Sequence, residues 1–303
     1  MLFAGAVVKS ARPDVKGMAV MVGHSSMAKV AGKAAKRVSE TSAKNPKNYV
    51  ASVGKAFAVL KSFTSETFEL TLSEIAARAD LDRGTAFRLI QTLTELGYLQ
   101  AVPQSRRFRL GVACLDLGYT VLSRGSLRPI VEPLLRDLVP AVGDAASLGI
   151  LDGGDVVYLA RVGAGLDRHK MDRRPGTRIP AYSAALGHVM LAHLPRDQQI
   201  ERLELRPRVK LSERTLTDLD ALLARLDQVK KKGHAVSDGE NAYGLRTLAT
   251  PIFDAQGFVI GGLSVTVDAM RMDMAAFRDQ ALPRLMQATA QVQDLAIKSG
   301  LTS

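Results

Sequence analysis

The residue types best equipped for recognition chemistry lie on one short polar stretch. Arg83, Thr85, Phe87, Arg88 and Gln91, with Gly84 among them, fall on the outer face of a helical pattern. Arginine and glutamine can hydrogen-bond guanine and adenine edges bidentately, and a ring or a threonine methyl can meet a thymine methyl. Further on, Arg106 and Arg107 follow the turn Pro103-Gln104-Ser105. Arginines at a hairpin tip suit phosphate or minor-groove contact. Lys55, ahead of them, completes the set of candidate DNA contacts. The plainer reading of the same residues is the solvated polar face of a small helical bundle.

Catalytic and metal chemistry finds little to work with. No serine sits in a G-x-S-x-G elbow. Gly163-Ala164-Gly165-Leu166 gives G-x-G without the third glycine of a dinucleotide loop, and there is no P-loop. His188 and His193 are five apart, off the i, i+4 spacing of paired ligands on a helix, and His169 is isolated. Both paired-looking histidines read as surface or satisfied residues, and Cys114, in an apolar helical pattern, as inert core. It is the one cysteine, so no internal disulfide is possible, which fits a reducing compartment. The sequence therefore predicts no catalytic residues, no metal, no cofactor and no enzyme.

The candidate DNA contacts need a frame, and the local signals supply one. Ser52 can cap a helix in which Val53, Phe57 and Leu60 share a face. Thr71-Leu72-Ser73-Glu74 reads as a capping box, followed by the apolar stripe Ile75, Ala76, Ala79. After the turn Asp80-Leu81-Asp82, Asp82 can cap a third helix. Its buried face is Ala86, Leu89, Ile90, Leu93 and Leu96, and Gly97 ends it. Two strand-like runs, Tyr98–Val102 and Arg106–Leu110, follow. Helix, helix, tight turn, helix and basic hairpin make a winged helix-turn-helix.

The second half alternates differently. Leu115, Leu117 and Leu122 suggest a helix that breaks near Gly125. Leu127–Val139 reads as an amphipathic helix carrying Ile130, Leu134 and Leu138, bounded or kinked by Pro129, Pro133 and Pro140. Strands are expected over Ser147–Leu151 and Val156–Val162, joined by Asp152-Gly153-Gly154-Asp155. A loop enters a helix over Pro180–Leu194, with Met190 and Leu191 inward, and an amphipathic helix spans Asp218–Lys232. Thr247–Phe253 and Phe258–Val267 are further strands, and Met274–Ala296 is a final helix. Ser264 and Thr266 alternate along one strand and so share a face.

Composition agrees with a folded chain of 303 residues: 47% hydrophobic and 23% charged, with no apolar run approaching the ~18 residues of a membrane helix. The formal net charge is +11, a balance that favours a polyanionic partner. Residues 1–50 hold nine Lys/Arg against Asp14 and Glu40. This segment has no sustained period, and residues 1–49 read as a disordered basic arm or a non-native leader.

Several stretches together resemble the IclR-type bacterial transcriptional regulators. In the first half they are Leu70-Thr71-Leu72-Ser73-Glu74-Ile75-Ala76, Leu81–Leu93 and Glu95-Leu96-Gly97-Tyr98-Leu99. In the second they are Ala146-Ser147-Leu148, Val156–Val162, Pro175–Ser183, Lys232–Asp238, Tyr243-Gly244-Leu245-Arg246 and Leu263–Val267. The likeness spans about residues 50–300. It implies an α+β chain: a winged helix-turn-helix over 50–111, a helical linker over 112–140, and a GAF-like α/β effector and oligomerisation domain over 141–303 with a largely antiparallel sheet. It implies a cytoplasmic, non-membrane protein that binds a palindromic double-stranded operator as a homodimer or dimer of dimers. A small organic acid would switch it, near a catabolic operon, to repress or to activate.

The same resemblance implies an effector pocket of Ala185, Leu186, Asp238, Thr247, Ser264 and Thr266. Ala184-Ala185-Leu186-Gly187 lies where the family places backbone N–H groups at a helix start. Asp238 matches the acidic position before the Gly-Leu-Arg motif. The plainer alternatives are backbone bonds for Ser264 and Thr266 and an Arg246–Glu240 ion pair. The branch that senses protocatechuate or 4-hydroxybenzoate carries Thr-Ser-Met-Gly-Arg where this chain has Ala184-Ala185-Leu186-Gly187-His188. The pocket is thus less polar on one side and suits a different or bulkier acid. Two rival functions stay open at this stage. One is an enzyme or sensor on the α/β domain with the helices as an interaction module. The other is a DNA-architectural protein that uses the basic arm.

Overall fold

The computed structural model describes residues 48–64, 66–123, 128–163, 166 and 173–299. The basic arm, apart from Asn48 and Tyr49, lies outside the described residues, as do Gly125, His169 and the Ala164-Gly165 pair. The chain divides into two compact units, one ending at Leu110 and the other beginning at Gly111.

The first unit holds α1 (Ala51–Leu60), β1 (Leu70–Thr71), α2 (Leu72–Ala79), α3 (Arg83–Glu95), β2 (Leu99–Ala101) and β3 (Arg107–Leu110). The capping box forms. Thr71 N–H donates to Glu74 Oε2 at 2.7 Å, and Thr71 Oγ1 accepts from Glu74 N–H. Asp82 Oδ1 accepts from Thr85 N–H at 2.8 Å and so starts α3. Such caps each stabilise by about 1 kcal/mol. Asp80 takes a left-handed conformation (φ 54°) and turns α2 into α3. Val59, Phe63, Leu70, Ile75, Ile90, Leu93 and Leu99 form the core.

Three expectations shift here. Val50, not Ser52, precedes α1, and no side chain caps it. Val53 and Phe57 face solvent while Val59 is fully buried, because apolar residues occupy both sides of this short helix and its period does not select a face. Leu96 is also exposed, since it is the C-cap just past the last helical residue and lies beyond the reach of the core. The structure adds β1, which pairs with β3 (Leu70 opposite Phe108) to make a three-stranded sheet in the order β1-β3-β2.

The second unit holds α4 (Ala113–Ser123), α5 (Arg128–Val142), β4 (Ala145–Asp152), β5 (Asp155–Gly163), β6 (Arg178–Pro180), a 3-10 turn (Ala181–Ser183), α6 (Ala185–Leu191), α7 (Arg196–Glu204), α8 (Leu219–Lys232), β7 (Ala235–Asp238), β8 (Leu245–Phe253), β9 (Val259–Asp268) and α9 (Met274–Lys298). Its six strands are antiparallel throughout, in the order β6-β5-β4-β9-β8-β7. Period-two alternation gives this sheet two unlike faces. Leu148, Leu248, Leu263, Val265 and Val267 pack against α5 and α9, around Leu135, Phe277 and Leu285. Ser147, Thr247, Ser264 and Thr266 fall on the other face, which α6 and α8 cover.

The stretch 112–140, expected as a linker of two helices, holds α4 and α5, which have different fates. On α5 the buried side is Val131, Leu135, Leu138, Val139 and Val142, so this helix belongs to the core of the second unit rather than to a connector. Ile130 and Leu134, expected inward, are only partly buried. Asp218 caps α8 through Ala221 N–H at 2.8 Å, and Gly233 ends it with φ 70°.

Candidate DNA interface and effector cavity

Helix α3 separates structure from recognition by its own geometry. Ala86, Ile90 and Leu93 are buried on one side, and Arg83, Phe87, Arg88 and Gln91 are exposed on the other. The guanidinium groups of Arg83 and Arg88 have no partner among the described residues. Thr85 is half-buried at the helix start, and Lys55 is exposed on α1. The two wing arginines differ. Arg106 is exposed and unpaired among the described residues. Arg107 instead donates to the Glu69 carbonyl at 3.0 Å and lies 3.5 Å from Glu74 Oε2, so it ties β3 to the capping box. That carboxylate is held below its usual range by its hydrogen bonds to Thr71, against the opposing effect of burial, with lesser help from Arg107 and Arg78. Arg109, in the same run, donates to Gln100 across the hairpin.

In the second unit a cavity of about 20 Å³ opens on the polar face of the sheet, room for a water molecule or two. Ala185 and Leu186 of α6 line it, with Thr247, Ser264 and Thr266 of β8 and β9. Thr247 and Thr266 are opposite each other in register, and their hydroxyls are 3.0 Å apart. Tyr158, Arg173, Ser237 and Asn241 line it too, and the sequence did not single them out. Ser237 carried a signal that alternation could have found: it pairs with Thr247 on the neighbouring strand and shares its face.

Asp238 is not among the lining residues. Its carboxylate is held by Arg214 and by Arg246, whose Nε donates at 3.1 Å. Strand alternation explains this, because Asp238 follows Ser237 and points the other way. Arg246 also donates to the Ala269 and Met272 carbonyls. Glu240 pairs with Arg225 at 3.1 Å rather than with Arg246.

Helix α6 lies close on its surroundings because two glycines permit it. A Cβ at Gly187 would stand 2.1 Å from the Ala181 carbonyl, and one at Gly262 would meet Leu186 at 3.1 Å. Ala184 precedes α6 in an extended conformation with no side-chain cap. His188, on α6, is fully buried, and its Nε2–H donates to the Tyr182 carbonyl at 2.7 Å. Burial pushes its pKa below the ordinary histidine value, Glu240 and the Tyr182 carbonyl oppose this, and Arg225 adds to it. His188 is thus a neutral core residue. His193 is half-buried with its ring edge-on to Phe253. Cys114 is half-buried on α4, and burial raises its thiol pKa, which disfavours the reactive thiolate. No cluster of potential metal ligands exists among the described residues. No helix there is long and apolar enough to cross a membrane.

Residues 52–103 match the IclR helix-turn-helix domain, and residues 119–294 match the bacterial transcriptional regulator IclR C-terminal domain. The chain is 33% identical over 222 residues to the HTH-type transcriptional regulator KdgR of Escherichia coli (strain K12), covering 73% of this chain and 84% of that protein. It is similar to a solved transcriptional regulator from Rhodococcus sp. RHA1, with 35% identity and a TM-score of 0.70 over 83% of this chain and all of that one. It is also similar to a double mutant of the PobR inducer-binding domain from Acinetobacter, solved in complex with 3-hydroxybenzoic acid. That match has 29% identity and a TM-score of 0.50, over 56% of this chain and 98% of that one. Two family domains in their order, an exposed basic recognition face and a polar cavity under a second fold lead to one conclusion. The chain belongs to the IclR family of bacterial transcriptional regulators, DNA-binding and ligand-responsive proteins rather than enzymes.

Proposed function

We propose that the chain controls a catabolic operon by binding a palindromic operator in the cytoplasm as a dimer or dimer of dimers, switched by a small organic acid that widens the water-sized cavity beside α6 as it binds. The observation that carries this reading is the cavity itself. Ala185 and Leu186 of α6 meet Thr247, Ser264 and Thr266 of the distant β8–β9 pair around one space on the polar face of the sheet. The 3-hydroxybenzoic acid bound by the PobR domain supports an acid as the ligand class.

Arg83, Arg88 and Gln91 read bases, with Thr85 and Phe87 against thymine methyls, and Arg106 and Lys55 follow the phosphates. Arg107 contributes by holding the wing in place. The second copy is supported by α4 and the segment before it, whose Val112, Leu115, Leu117 and Tyr119 are all more than half exposed. Pairing two such faces would cover them, and two-fold symmetry would set the half-site spacing. The ligand shifts the equilibrium between operator-competent and incompetent states by its differential affinity for the two.

The test is a thermal-shift screen of the protein against aromatic and aliphatic carboxylates, followed by operator binding with each hit. A ligand at ~100 times its Kd adds about 2.7 kcal/mol of stability. The expected result is a hit whose shift disappears in the Ser264→Ala, Thr266→Ala double variant and which alters operator affinity. A hit that stabilises this double variant as well as the parent protein would remove the cavity from the mechanism.

A further inference from the structure

Arg161 on the sheet has no acid partner among the described residues. Arg161 on β5 stands opposite Ser147 on β4, and Ser147 stands opposite Ser264 on β9. The three therefore project from the cavity face, in the row beside Ala145, Thr266, Thr247 and Ser237. Arg161 Nη1 donates to the buried Ser147 hydroxyl at 2.8 Å. Its guanidinium carbon lies 5.8 Å from the centroid of the Tyr158 ring. Both Ser264 and Tyr158 line the cavity, and Arg161 stands behind this lining rather than in it.

Comparably shielded arginines of this unit are matched by acids: Arg206 by Asp155, Arg225 by Glu240, Arg246 by Asp238. Arg161 is only partly exposed, yet it has no carboxylate partner among the described residues. Burial pushes its guanidinium below the ordinary arginine range, and the charge of Arg173 adds to this against the opposing effect of Tyr158. A shielded cation without an anion costs stability, and a guanidinium keeps its charge rather than neutralise. Only one of its five N–H donors is taken up by Ser147, so a fork remains for a planar anion.

We propose that Arg161 is the anion anchor of the effector cavity: a carboxylate of the ligand seats on its guanidinium and supplies a counter-ion that none of the described residues provides. This rests on the reading of the cavity as the effector site. It makes the ionised carboxylate, rather than ring size or hydroxyl pattern, the feature the site selects. Neutral analogues of the same shape are rejected because they leave the guanidinium unpaired.

The experiment measures melting of the full chain near neutral pH with 3-hydroxybenzoate, 4-hydroxybenzoate, pyruvate, succinate and the uncharged 4-hydroxybenzamide as probes. Arg161→Gln keeps a donor toward Ser147 and loses the charge, Arg161→Met removes both, and Arg161→Lys keeps the charge without the fork. The expected result is that carboxylates that stabilise the parent bind at least about tenfold more weakly to the Gln and Met variants, with partial recovery in the Lys variant. The benzamide does not bind. The ligand-free Gln and Met variants melt at or above the parent temperature, because each loses an uncompensated charge.

An undiminished carboxylate shift in the Gln and Met variants overturns the anchor. If the Ser264→Ala, Thr266→Ala variant still loses that shift, the cavity reading survives alone. A drop in ligand-free melting temperature in both neutral variants marks Arg161 as structurally paired and also overturns the proposal. A parent protein stabilised by none of the carboxylates overturns the effector reading and the anchor together.

Discussion

The two sets of arginines proposed for recognition sit in opposite surroundings. Arg83 and Arg88 extend from one exposed helix face into water. Their charges cost little there, and they can wait unpaired for a polyanion. Arg161 lies beside a cavity, shielded, with a single hydroxyl partner among the described residues. The same functional group thus serves two kinds of binding. On α3 the long-range charge attracts and the fork reads. In the cavity the low local polarity makes one unanswered charge a strong preference for one class of ligand. The scaffolds differ as well: the helix presents its face by period alone, whereas the cavity depends on close packing of α6 over the sheet.

That contrast can be broken from the cavity side first. Gly187→Val places branched carbons where the Ala181 carbonyl already stands, so it should cost about 3 kcal/mol or more. Hydrogen exchange should show protection lost in β4–β9 and α6 while α1–α3 keep theirs. Unchanged protection around α6 would mean that the packing is not as tight as described. From the other side, Arg88→Ala should weaken operator binding by ~1–3 kcal/mol and leave ligand stabilisation intact. Equal losses on operator and on random DNA would deny it a base-reading role. Arg106→Ala should weaken both DNAs alike and reduce the salt slope by about one.

The smallest effect concerns His188. Its folded-state pKa lies below the unfolded value of 6.5 because burial disfavours the cation. Below 6.5 the unfolded chain takes up a proton that the folded one refuses, so stability is full above that pH and falls beneath it. The loss should approach about 1 kcal/mol over the first pH unit. His188→Asn keeps a donor toward Tyr182 and should flatten this slope. An identical slope in both proteins would assign the acid sensitivity elsewhere.

Much of the first unit was legible because its signals are local. The Thr71–Glu74 box, the Asp82 cap and the Ala86, Ile90, Leu93 stripe lie within a few residues of their partners. The outer arginines of α3 follow from the same period. Local signals failed where two answers had equal support, as on α1, where Val53 and Val59 are both apolar and only one is buried. They also gave no sign that Arg107 bonds Glu74, which lies on another element.

By itself the sequence determined the types of most elements, though not β1, β6, β7 or α7, together with the two-part organisation, the outer face of α3 and the common face of Ser264 and Thr266. Periods of 3.6 and 2 are properties of one segment, and each segment carries its own. Only the tertiary structure decided that α5 is core rather than connector, that Asp238 is consumed by Arg214 and Arg246, and that Arg161 has no acid partner among the described residues. Each of these turns on which distant element supplies a partner. Strand register and helix packing settle that choice, and no single stretch of sequence contains it.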